Sequence, residues 1–209
     1  MKLSIAEGLY LIALDDEEGR LLAAAEKSIV PALLSAIILE LYLQKKVSLK
    51  DGHISVVDST GTGNGILDSV LSKLHSGAEL IPEIKKLEGD FKDLLGDFNQ
   101  LLAQRGILRK EETKLLWIPL SERMDNANYA FEQEIRNNLQ AMVFKSAKPS
   151  PAFAVLMSLI YNCDILDEVF PDRDDLVDAV KVAKDMPNSP VVEGELSNAL
   201  HSLKTFFGK

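Results

Sequence analysis

Cysteine is nearly missing from this chain: Cys163 is the single one in 209 residues. That excludes a disulfide framework and a thiolate metal site, and it points to a reducing, cytoplasmic setting with Cys163 as a buried structural thiol. Histidine is scarce as well. His53, His75 and His201 stand far apart, none with a partner at metal-ligand spacing, so no metal is expected. No Gly-x-Ser-x-Gly elbow occurs and the carboxylates scatter over polar helix faces. The chain therefore reads as a non-enzyme without a cofactor. Positive charge is in deficit, with 23 Lys and Arg against 32 Asp and Glu and a net charge of -9. That argues against an indiscriminate hold on nucleic acid or anionic membrane, while leaving room for a local basic patch. Long apolar runs are missing too. The longest uncharged stretch, Pro149 to Cys163, falls short of the roughly 20 residues a membrane span needs. The start reaches charge at Glu7 with no signal-peptide h-region. No Gly/Ser-rich linker divides the sequence, which predicts one domain over 1–209.

What the sequence does have is helical periodicity. With 46% apolar and 26% charged residues it belongs among globular chains. Ser4 and Glu7 form a capping box ahead of Ile5, Leu9 and Ile12. A helix from about Lys27 to Lys45, interrupted early by Pro31, is apolar on nearly every face, as a central buried helix is. One amphipathic helix is predicted to carry Ile84, Leu87, Phe91, Leu94, Phe98 and Leu102. Asp125 is expected to open a helix with Phe131, Ile135 and Leu139 inward. Pro149 and Pro151 open another, running through Leu166, and two more follow near 172–184 and 191–207. The fold class is mainly α: a single-domain helical bundle with two short β-hairpins.

Those hairpins belong to a module that occurs twice, an apolar helix running into a basic turn and a ribbon. The first copy runs from Ile37 through Lys45-Lys46-Val47, with a turn at Lys50-Asp51-Gly52 and a return strand His53 to Val57. The second runs from Phe98 through Arg105-Gly106-Ile107-Leu108, with a charged turn at Arg109 to Glu112 and a strand Lys114 to Ile118, ended by Pro119. This helix-plus-wing layout suits surface recognition. No nucleic acid is expected as a partner, because the helix before each ribbon is apolar rather than basic. Leu115, Leu116, Trp117 and Ile118 are consecutive apolar residues in a short strand, so at least two point away from whichever face packs inward. The single tryptophan suits a membrane interface. The same strand suits a contact with a neighbouring helix or a second subunit equally well. Arg109, Lys110 and Lys114, with Lys92 further upstream, are candidate headgroup contacts. The loop Thr60-Gly61-Thr62-Gly63-Asn64-Gly65 could bring backbone N–H groups to an anion, but it lacks the ending of a phosphate-binding loop and reads as an ordinary entry to a helix.

Taken together these blocks resemble the Golgi phosphoprotein 3 family, including its shorter bacterial members. Leu3 to Gly19 is similar to the family's opening helix and acidic turn. Leu39-Glu40-Leu41 with Lys46-Val47 resembles its junction to the first ribbon. Asp58-Ser59-Thr60-Gly61-Thr62-Gly63 with Leu67-Asp68 is similar to its Asp-x-Thr-Pro-Thr-Gly…Leu-Asp loop, with Gly61 in place of the proline. Arg105-Gly106-Ile107-Leu108 with Leu115 to Ile118 is similar to its second hairpin. The resemblance implies a non-enzymatic peripheral membrane adaptor that binds phosphatidylinositol 4-phosphate, inserts the second hairpin into the bilayer and recognises the tails of membrane proteins. Its lipid-pocket positions fall here on Ala23-Ala24-Ala25, Leu34, Lys92 and Leu95, so Lys92 is the one cation retained from that set. The partners expected are anionic phospholipid or membrane-protein tails, with a homo-oligomer through the second hairpin as an alternative use of it.

Overall fold

A computed structural model describes residues 3–15, 19–115, 118–126, 129–144 and 150–209, with the ribbon strands of 110–126 described by their backbone pairing. Helices α1 (Ile5–Ile12) and α2 (Ile29–Leu43) lead into strands β1 (Val47–Lys50) and β2 (His53–Val56). Helix α3 (Gly65–Lys73), strand β3 (Ala78–Glu79) and helices α4 (Leu80–Asp90) and α5 (Leu94–Gln104) follow. Strands β4 (Leu108–Leu115) and β5 (Ile118–Asn126) precede α6 (Tyr129–Val143), α7 (Pro151–Asn162), α8 (Arg173–Asp185) and α9 (Glu195–Phe206). The fold is mainly α, with two small antiparallel sheets ordered β1-β2-β3 and β4-β5.

Helix α2 is the axis of the molecule. Ile29, Ala32, Leu33, Leu34, Ile37, Ile38, Leu39 and Leu41 are fully buried, and α1, α3, α4 and α7 pack around it. Burying each of the Ile and Leu side chains stabilises by about 1.5–3 kcal/mol. Pro31 does not interrupt this helix, because it sits in the first turn, where a missing N–H costs nothing. The buried Ser35 hydroxyl donates back to the Pro31 carbonyl at 2.7 Å, so this hydroxyl is satisfied within the core.

The expected single helix through Ile84 and Leu102 is two helices. The chain leaves helical geometry at Phe91, with φ -112° and ψ 61°, and re-enters it at Leu94. Gly89 and Asp90 are poor helix formers just ahead of the break, yet Leu87, Leu94, Phe98 and Leu102 keep one continuous buried stripe across it. The first ribbon gains a third strand, since β3 pairs with β2 through His53 opposite Glu79 and Ile54 opposite Ala78.

The second ribbon differs most from expectation. Arg109 to Glu112 is no turn. It lies inside β4, which pairs with β5 from Leu108 opposite Asn126 out to Leu115 opposite Ile118, with an irregularity between Thr113 and Lys114. Asp125 pairs with Arg109 in the ribbon and does not open a helix; α6 begins at Tyr129. The register sets Arg109 opposite Asp125 and Glu111 opposite Arg123, pairs of opposite charge, and Glu112 opposite Glu122, a like-charge pair. Residues 109–114 of β4 read Arg-Lys-Glu-Glu-Thr-Lys, with no apolar alternation for periodicity to register.

Candidate functional site

Three features lie around α1, α3 and α5. The first is a buried carboxylate. Glu7 of the α1 capping box bonds the Ser4 backbone N–H at 2.9 Å and receives the Asn64 side-chain amide at 2.9 Å and the Arg105 guanidinium at 2.6 Å. Arg105 is the C-cap of α5, and Gly106 follows at φ +67°, a left-handed turn that glycine takes without penalty, sending the chain into Ile107 and Leu108. Those two residues are buried against the body. Among the described residues, α5 is the ribbon's main packing partner there. Glu7 therefore ties the ribbon's base to the body and to the start of α3.

The second feature is the loop 58–68. Several of its backbone N–H groups are already bonded within the loop, which withdraws them from any phosphate. Thr60 N–H donates to Asp58 at 2.8 Å, Thr62 N–H to Asp68 at 2.6 Å, and Ile66 N–H to the Asn64 side chain at 3.0 Å. Lys46 at the end of the first module reaches Asp58 at 2.7 Å and Thr60 at 2.6 Å. Gly61 leaves room for this closure: a Cβ there would lie 3.1 Å from Asp68 Oδ2. Bonds from Lys46 and Thr60 hold Asp58 down to about 2, and those from the Thr62 backbone hold Asp68 low as well. Both folded values lie below the unfolded ones, so the stability they lend is complete above about pH 4 and drains away as pH falls toward 2. An NMR titration of the Asp58 carboxyl is expected to give a midpoint near 2, and Lys46→Met to move it back toward the ordinary carboxylate range. A midpoint unchanged in Lys46→Met would break this assignment.

The third is an open hollow of about 610 Å³ between α1, the turn at Gly19-Arg20 and α5. Tyr10, Leu14, Leu21, Leu95 and Ala103 give it apolar walls, and Arg20 is the one cation among its described lining residues. The buried Tyr10 hydroxyl donates to Asn99 Oδ1 at 2.7 Å, and burial pushes it up to about 12, so Tyr10 is a neutral, already satisfied wall.

A family model described as Golgi phosphoprotein 3 matches residues 5–202. The chain belongs to the Golgi phosphoprotein 3 family. No curated protein matches it. Against that family's pattern, the sequence-derived positions separate in space. Leu34 is sealed in the core at 0% exposure and Ala25 likewise. Lys92 is exposed in the α4–α5 break and is not among the residues lining the hollow, whereas Leu95 is. Arg109 is exposed at the ribbon's base. Lys110 and Lys114 lie along β4, and Leu115 and Ile118 form its outermost pair. Leu116 and Trp117, between them in sequence, lie outside the described residues. The structure thus gathers the ribbon candidates on one element and leaves Lys92 apart. Sequence reading missed Arg20, Tyr10 and Gln100; the hollow joins residues some eighty positions apart that share no local motif.

Among the described residues no group of three or more His, Cys, Asp or Glu could hold a metal ion, and no helix is long and apolar enough to cross a membrane. Cys163 is buried, and burial pushes its thiol up to about 11, which makes it a poor nucleophile.

Proposed function

We propose that this member of the family is a non-enzymatic, adaptor-like protein that meets an anionic membrane surface on the cytoplasmic side through the β4–β5 ribbon. The observation that carries this reading is the register of the ribbon. Leu115 opposite Ile118 is its outermost pair, at the two ends of the run Leu115 to Ile118, while Arg109, Lys110 and Lys114 follow along β4. An apolar end with cations behind it matches the order of hydrocarbon and headgroups in a bilayer interface. Eight residues of β4, at about 3.3 Å each, give the ribbon a reach of roughly 26 Å. One short insertion binds weakly, so a second contact or a second copy adds the remaining affinity. The charge run Lys110 to Glu112 along the strand discourages edge-to-edge pairing, which favours the membrane over self-assembly as the ribbon's partner.

Co-sedimentation with neutral and phosphatidylserine-containing vesicles tests this. Binding is expected to the charged vesicles, to fall with salt, and to be accompanied by a blue shift of Trp117 fluorescence. Leu115→Ser with Ile118→Ser is expected to weaken it at least about tenfold, since each apolar side chain contributes about 1.5–3 kcal/mol when buried. No binding at low salt, or binding unaffected by the double substitution, would sink the proposal.

A further inference from the structure

The α1–α5 hollow has a chemistry that the ribbon does not explain. We propose that it binds an amphiphile with one anionic group: a long-chain carboxylate whose chain lies against Leu14, Leu21, Leu95 and Ala103 and whose head meets Arg20. The volume, about 610 Å³, is that of a small-molecule site. Leu21, Leu95 and Ala103 are half-buried and turn apolar surface into the open hollow, and Leu14 lies buried behind them. The polar capacity is small. Tyr10 is committed to Asn99, Gln100 is neutral, and Arg20 supplies the charge.

A polyphosphorylated head needs several converging cations, and this hollow has a single one among its described lining. Leu95 stands in the wall, Leu34 is buried in the core, and Lys92 lies outside the lining. The acidic run Asp15-Asp16-Glu17-Glu18 precedes Arg20 in the chain and further opposes a multiply charged ligand. A guanidinium can pair both oxygens of one carboxylate, and the apolar walls remove the chain from water. This inference stands independently of the ribbon's membrane contact.

The test uses the full chain and a naturally fluorescent polyene fatty acid held below its micelle concentration. The corresponding fatty alcohol serves as the uncharged probe, and soluble inositol phosphates as competitors. Saturable binding of the acid at one per chain is expected, with the alcohol about tenfold weaker and no displacement by inositol phosphates. Arg20→Gln is expected to bring acid and alcohol to equal affinity. Ala103→Trp, at a half-buried wall position, fills the hollow and abolishes both while the melting curve stays cooperative. The Leu115→Ser, Ile118→Ser chain keeps acid binding in full even where it loses vesicles, which separates this site from the ribbon. Equal affinity of acid and alcohol in the parent, displacement by inositol phosphates, or unchanged binding in a folded Ala103→Trp would overturn the proposal.

Discussion

Arg105→Ala is expected to destabilise the chain by about 3–5 kcal/mol, read as a lowered urea midpoint with an unchanged slope. Glu7 is 1% exposed and receives that guanidinium at 2.6 Å. Removing one partner of a buried pair leaves the other charged and without compensation, and this costs far more than the net worth of the pair. The Asn64 amide and the Ser4 backbone remain on Glu7 but carry no positive charge. Glu7→Gln in the Arg105→Ala background is therefore expected to recover part of the loss, because the amide buries no charge. A single-variant loss below about 1 kcal/mol would mean that water replaces the guanidinium at Glu7, and the hub would not be structural.

The second large effect concerns restoring the family's cations. Leu34→Arg is expected to leave almost no folded protein, and Leu95→Arg to fold with a change within about 1 kcal/mol. Both put an arginine at a position to which the family resemblance assigns one. Leu34 is fully enclosed among α2's neighbours, and an unpaired ion there costs several kcal/mol against a total stability of about 5–15 kcal/mol. Leu95 is half-buried on the wall of an open hollow, so its replacement can keep the charge in water. Circular dichroism and soluble yield decide the matter. A well-folded Leu34→Arg would mean that the start of α2 opens more readily than its packing implies.

Local rules carried most of the helical content. Ser4 and Glu7 form the expected capping box, Asp172 caps α8 through the Asp174 and Asp175 N–H groups, and the all-round apolar pattern of α2 marks it as central. What stayed hidden was decided at long range. The α4–α5 break leaves the apolar stripe intact, so periodicity could not register it. Strand β3 is two residues that become a strand only by docking on β2. Beyond Leu108, β4 is a run of charged and polar residues to Lys114, so no apolar period marked the ribbon's length. The hub itself was half legible: the capping box named Glu7, but nothing local announces that Asn64 and Arg105 reach the same carboxylate. The family resemblance, carried by the order of short motifs, was legible where geometry was not.

The hub also says something about how the chain closes. Glu7 joins partners 57 and 98 positions away, whereas most of the surrounding structure is helix and can form from neighbours alone. Contacts of such separation pay their loop-closure entropy before they return anything, so they are expected to form on the native side of the folding barrier. Their loss then falls on the unfolding rate, with refolding nearly unchanged. Glu7 works as a latch: it adds little to how fast the body assembles and much to how long it stays assembled once the base of the ribbon is in place.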